Sequence, residues 1–499
     1  MKPLPVLLLA GITASVAAAE TTIPAAGLRE DVEIARKAYT SLHPGLYRYN
    51  TPEEIEAAFD ELADGFAEGS TLSEAYLAFA ELLASIRCGH TYGNFWNQSA
   101  EVQEQLFNGA DKLPFTFRIV GERMVVTRNA TDEPRLRPGT VITAIGGVPT
   151  GELLERLMRL IHADGASDHQ RRFELQVSGI GEFEPFDVYQ PLLFPPRNGR
   201  YRFSALHTGS GERFDLSAPA LTRAGRKAVL DERYGPLPNS PDELWRFELL
   251  DDETGYLKAG SFVTWKMKLD WKSLLEGAFE TLRQGAVDNL ILDVRGNGGG
   301  DEAVLEALLG HVLTEPISLP PGRQLVRYEK APEDLEKYLD TWDRSFLDRT
   351  GQVRSAGGGF FAAKDATDEP TVLPGSETAF SGRLYLLVDP ANTSATFTLA
   401  RILKDAGRAT LVGETTGGNR RGINGGQILF LRLPNSGLEM DIPLIGFFPS
   451  QDQPDSGVVP HLRVVSSLED ISRGVDGVLE AALRSIAEGR ADWRAAWRQ

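Results

Sequence analysis

Cysteine is nearly missing from this chain. Cys88 is the only one in 499 residues, so no internal disulfide can form and no lipidated cysteine can stand at an export cleavage point. Stability must come from packing. Basic residues are in the minority, 52 Lys and Arg against 70 Asp and Glu, for a formal charge of -18. No lysine- or arginine-rich run offsets the excess, which argues against phosphate-backbone binding; nucleic acid is not an expected partner. The seven histidines show no H-E-x-x-H and no paired ligand spacing, so neither a metal nor an organic cofactor is implied. Beyond the first residues no window approaches the apolar length of a membrane span.

What is present is an ordinary globular composition, 42% hydrophobic and 24% charged. The length suits about three domains. Residues 1–19 read as a signal peptide: Lys2 supplies a positive end, Val6 to Val16 is mostly apolar, and Ala17, Ala18 and Ala19 fit the small-residue cleavage rule. The apolar stretch is too short for a permanent anchor. The expectation is an exported protein, periplasmic or extracellular, with no membrane anchor after cleavage.

Residues 20–108 are expected to form an N-terminal helical domain. Thr51 with Glu54, and Thr71 with Glu74, have the spacing of capping boxes that open helices. Leu72, Tyr76, Phe79, Leu82, Leu83 and Ile86 then make one apolar stripe at helical period. That helix should end near Arg87-Cys88-Gly89-His90, leaving His90 just past it. Residues 109–200 change to short strands and a helix from Gly151 to Ile161, with an irregular connector from Pro191 to Arg200. From 201 to 499 strands and helices alternate, the pattern of an α/β domain. A polar stretch over 322–381 interrupts it as an expected surface lobe, and a terminal helix is expected from Ile471 to Ala487.

Two segments carry chemistry. Leu384 to Asp389 is a buried-strand pattern, followed by a short turn and a helix beginning at Ser394. Such a corner lifts a hydroxyl out of the backbone, and the helix N-terminus offers N–H groups where an oxyanion would develop. A bland reading stands beside it, in which Ser394 or Thr393 caps the helix. The second segment, Asn289 to Gly300, ends a buried strand in glycines that allow a backbone amide to approach a substrate. A phosphate-binding loop would need Gly-Lys-Ser/Thr, which is absent.

Asp293-Val-Arg-Gly-Asn-Gly-Gly-Gly300, Ser394-Ala395 and Gly413-Glu-Thr-Thr-Gly-Gly418 resemble, in order and separation, the signatures of the tail-specific (C-terminal-processing) and tricorn-core serine peptidases. Leu136 to Gly147 resembles part of a PDZ domain. The fold implied is α/β, a crotonase-like β-β-α spiral peptidase core with an N-terminal helical domain and a PDZ-like domain. By that resemblance Ser394 is the nucleophile, the amides of Gly300 and Ala395 form the oxyanion hole, and peptides or unstructured proteins are substrates. One position departs from it: tail-specific enzymes carry a basic lysine where this chain has Asn419, and Arg420 and Arg421 cannot accept a proton. The tricorn branch uses histidine instead, in a context that Gly89-His90-Thr91 resembles, which makes His90 the candidate general base. That branch orients its histidine with a glutamate ahead of a G-x-x-P segment. Here Gly457 to Pro460 is that segment, preceded by Asp452 and Asp455, and both stay open as the third member. The same architecture occurs in interphotoreceptor retinoid-binding proteins, so a non-catalytic ligand- or peptide-binding protein is the rival reading.

Overall fold

The computed structural model describes residues 22–367 and 369–489; the expected signal peptide lies outside them. Helices Ala25–Leu42, Pro52–Gly65 and Leu72–Ser85 open the chain. Both expected capping boxes form. The Glu54 N–H donates to Thr51 Oγ1 at 3.2 Å and the Thr51 N–H to the Glu54 carboxylate at 2.8 Å, with the same exchange between Thr71 and Glu74. Each satisfies two N–H groups that a helix start otherwise leaves unpaired. The stripe from Leu72 to Ile86 is buried. At Arg87 the backbone adopts a left-handed φ of 58° and turns the chain away, so that Gly89 and His90 leave the helix at an angle.

Strands Phe115–Val120, Arg123–Asn129, Val141–Ile145, Arg200–His207 and Glu212–Pro219 form an antiparallel sheet in that order. The expected boundary at 200 therefore moves to beyond 219. The reason lies in the alternation of Tyr201, Phe203 and Ala205, which point inward at period two and bury against this sheet's own core, Phe203 lying 5.2 Å from Phe115. Part of the expected connector is helical, Pro185–Leu193.

The larger sheet runs Leu462–Arg463, Ala409–Gly413, Arg383–Val388, Asn289–Asp293, Thr254–Ala259, Trp245–Leu249, parallel throughout except for the last strand. Its central strands are apolar on both faces, as a covered parallel sheet requires. Leu290, Leu292, Leu384 and Leu386 share a core with helices Trp271–Gln284, Glu302–Val312 and Ser394–Asp405. The alternating Ile291, Tyr385 and Leu387 pack with Gly477–Ala487 on the other side. The expected terminal helix is broken in two, because Gly474 (φ 65°) ends Leu468–Arg473 in a left-handed cap before Gly477–Ala487 begins.

The 322–381 stretch is not a detached lobe. Its strands Gly322–Leu325 and Leu339–Asp340 are the edges of a four-stranded sheet centred on Asn424–Arg432 and Glu439–Pro449. Leu325, Val326, Tyr328, Leu335 and Leu339 anchor it by burial. The inner strands send Leu429, Leu431, Met440, Ile442 and Leu444 into the same core as the N-terminal helices. Asp31 on the first helix accepts the Asn435 and Ser436 N–H groups at 3.0 and 2.8 Å. The helices over 25–85 and the strands over 424–449 thus share one core, and residues far apart in sequence can share a site. Among the described residues no helix is long and apolar enough to cross a membrane.

Candidate active site

The chain leaves the parallel strands at their C-terminal ends, where α/β sheets place ligand sites. After Arg383–Val388 the Asp389 N–H donates to Asn392 Oδ1 at 2.9 Å and the Ala391 N–H to Asp389 Oδ1 at 3.1 Å. This tight turn delivers Ser394 with φ 49°, a left-handed conformation for a non-glycine residue. Such a backbone costs about 1–3 kcal/mol and persists only where its surroundings enforce it. Neither hydroxyl of the bland reading caps the helix: Thr393 stands at the cap position without a side-chain bond, and its Oγ1 donates to Gly298 O at 2.8 Å instead.

The glycine loop lies against this corner. The Asn392 amide donates to Val294 O and, at 3.1 Å, to Asn297 O; Thr396 Oγ1 donates to Asn297 O at 2.8 Å. Asn297 in turn donates to Ala259 O at 2.8 Å and accepts the Gly299 N–H at 2.9 Å. Gly299 (φ 101°) has no room for a side chain, since a Cβ would sit 2.9 Å from Ser394 Cβ and 3.0 Å from the Ala395 nitrogen. At Gly300 (φ 136°) a Cβ would strike Phe262 O. The bridge to Phe262 is made by the Asp301 N–H at 2.8 Å, so the Gly300 N–H has no backbone acceptor. The Ala395 N–H sits in the first helical turn and has none either. Two amides with no backbone acceptor among the described residues therefore flank the serine corner.

The Asp293 and Arg295 of the same signature form a buttress. Buried Asp293 accepts from Arg295, from Lys258 at 3.1 Å and from Tyr256 at 2.7 Å, and these cations and donors hold its carboxyl far below the usual range against the cost of burial. Arg295 also forks onto Asp476, the cap of the terminal helix, with both bonds at 2.7 Å.

His90 enters from the opposite end of the sequence. Its ring lies over Gly425, whose Cβ position is 3.5 Å from Cε1 and 3.6 Å from Nε2. Nδ1 is buried and has no partner. Burial pushes the imidazole below its ordinary 6.5, while the negative charge of Asp164 opposes that shift. Asp164 is itself buried; its Oδ1 accepts the Gly89 N–H at 2.9 Å and its Oδ2 has no partner. Oδ2 would lie 2.7 Å from a Cβ on Gly89, so a side chain at that position would force Asp164 to shift. Among the described residues no hydrogen bond joins His90 to Ser394. The two segments meet through a short chain of contacts: Gly418 packs on the Phe397 ring of the serine helix, and the adjoining Asn419 donates to Asp164 O at 3.3 Å.

Asn419, in the lysine position, is fully buried and spent on structure. It donates to Asp455 Oδ1 at 2.7 Å and accepts the Arg421 N–H at 2.9 Å. Asp455 also accepts the Ala166 N–H at 3.0 Å and pairs with Arg421 at 3.4 Å. Asp452 is exposed. Neither carboxylate is hydrogen-bonded to His90, so the structure gives no support to either as its orienting group: one is tied to Asn419 and the other faces solvent. Lys404 donates to Val459 O on the surface.

Residues 253–464 match the family model for peptidase family S41. Over these residues the chain is similar to peptidase family S41. It is a serine-type peptidase core, and the rival reading as a non-catalytic binding protein is set aside. The chain is similar in fold to mature CPAF, with 13% sequence identity, a TM-score of 0.62 and coverage of 93% of this chain and 97% of that one. The structure of mature CPAF complexed with lactacystin gives 13% identity and a TM-score of 0.60, covering 90% and 95%. The photosystem II D1 C-terminal processing protease is 15% identical over 91% and 98%, at a TM-score of 0.41. Sequence reasoning overlooked Asn297, Asn392 and Asp164 in this S41 site. Both asparagines sit inside strings already singled out, but only the folded loops reveal what they bind. For Asp164 the one available signal was Gly89, a missing side chain that makes room for it.

Proposed function

We propose that this S41 peptidase is exported and hydrolyses peptide bonds of peptides or unstructured proteins through an acyl-enzyme on Ser394, with His90 as general base. The observation that carries this reading is the left-handed Ser394 backbone beside the uncommitted Ala395 and Gly300 amides. Ser394 Oγ attacks the scissile carbonyl carbon and its proton passes to His90. The carbonyl oxygen takes the negative charge and is held by the two amides. As the C–N bond breaks, His90 returns the proton to the leaving amine. A water molecule then repeats the cycle on the ester and frees Ser394. No lysine is needed, because a buried neutral imidazole accepts a proton near neutral pH. Export rests on the N-terminal sequence pattern.

The test is turnover of a fluorescein-labelled unfolded protein by the purified mature chain. Cleavage that is lost in Ser394→Ala and in His90→Ala, with folding intact in both, supports the reading. Cleavage that persists in Ser394→Ala overturns it.

A further inference from the structure

We propose that Asp164 is the positioning carboxylate of His90, the group that orients its ring and offsets the charge of the imidazolium; this rests on His90 being the general base. The argument begins with backbone. The Gly89 N–H donates to Asp164 Oδ1 at 2.9 Å, and the Gly165 N–H donates back to Arg87 O at 3.0 Å. This reciprocal clamp ties the segment that carries His90 to the segment that carries Asp164. Asn419 fastens the far side by donating to Asp164 O.

Inside the clamp, buried hydrogen-bonding capacity is left over on both partners. His90 Nδ1 and Asp164 Oδ2 are each buried without a partner. Unpaired buried polar atoms are costly and rare, and two on segments clamped together point to a shared task. Other claims on Asp164 are weak. Arg171 is committed to Ile161 O, Gly165 O and Asp168, and Arg48 to Gly422 O and Phe447 O. The other titratable group acting on this pair is His162, stacked on Tyr92 at 4.0 Å and pushed down to about 3 by burial, so it stays neutral. Cys88 and Tyr49 also lie near Asp164; burial pushes both upward, Cys88 to about 11 and Tyr49 well above its ordinary range, so both are neutral at neutral pH.

When the serine proton reaches His90, a cation forms where water does not solvate it. A fixed carboxylate beside it favours that state, and a carboxylate fixed to the preceding residue's backbone also fixes the ring. Asp164→Asn keeps the size and the acceptor for Gly89 and removes the charge. We expect kcat to fall by about a hundredfold with KM nearly unchanged. The acid limb of the pH–rate profile should also move to lower pH, because the charge that holds a proton on His90 is gone. A purely structural role would not move that limb. An unshifted limb and a normal kcat, in a protein whose His90→Ala variant is inactive, overturn the assignment of Asp164 alone. Activity surviving in His90→Ala overturns the base and this proposal with it. Should Asp164→Asn not fold, NMR of the Ser394→Ala protein labelled with ¹³C-carboxyl Asp and ¹⁵N-His decides. Inflections of Asp164 and His90 at a common pH support coupling, and independent titrations contradict it.

Discussion

The serine corner and the histidine segment are built on opposite principles. Around Ser394 the side-chain donors and acceptors are spent on backbone: Asn297, Asn392, Thr393 and Thr396 lace two loops into one rigid cradle. What that cradle leaves without a backbone acceptor among the described residues is the pair of amides at Gly300 and Ala395. Around His90 the reverse holds, with Nδ1, Asp164 Oδ2, Asn424 Oδ1 and Tyr49 Oη all buried and unpaired. A group that stabilises developing charge works best when fixed beforehand. A group that carries a proton needs capacity that is not already committed. The proposed division of labour is thus matched by a difference in which hydrogen-bonding groups are committed.

The comparison can be broken most sharply at its two reacting groups. Ser394→Ala should lower kcat/KM by at least about ten-thousandfold, measured on a labelled unfolded protein. Ser394→Gly should be equally inactive, yet raise unfolding free energy over Ser394→Ala by about 1 kcal/mol, since glycine accepts the left-handed backbone without strain. Equal stability of the two would mean that the corner stores none. His90→Ala should lower turnover at least about a hundredfold while leaving the thermal midpoint nearly unchanged. A matching loss of folding would make His90 structural.

Further predictions sharpen the contrast between rigid and uncommitted sides. Asn392→Ala removes the side chain's bonds to Val294 O and Asn297 O and leaves the Asp389 N–H without its acceptor. It should cost about 2–3 kcal/mol in denaturant unfolding and about tenfold in kcat. Asn419→Lys should force an ammonium into a buried position shaped for an amide and destabilise by about 3 kcal/mol, with no activity restored in a His90→Ala background. Restored activity there would mean that this position still reaches the nucleophile. The smallest effect is on pH. On the proposed mechanism neutral imidazole is the active form, and burial lowers its pKa below 6.5. Activity should thus hold as pH falls through 6.5 and be lost only below it, as His90 takes up a proton in the folded state.

Local features were legible from residue order and tertiary ones were not. The capping boxes at Thr51 and Thr71, the parallel strands ending at Asp293 and Val388, and the serine corner all follow from short-range pattern and appear where that pattern puts them. The edge strands Gly322–Leu325 and Leu339–Asp340 are too short and polar to announce themselves, and their pairing partners lie about a hundred residues downstream. The same distance hid Asp164. A carboxylate in a turn looks solvated until the fold lays it against Gly89, and Asp455 looked available until Asn419 was seen to claim it.

The central claim is that Ser394 is a nucleophile primed by its backbone and served by His90. Intact-mass and peptide-level spectrometry after treatment with a fluorophosphonate tests it directly. The account predicts a single adduct on Ser394, absent in Ser394→Ala and formed at least about a hundredfold more slowly in His90→Ala. No adduct on well-folded protein at neutral pH, or an adduct on a different serine, would contradict it.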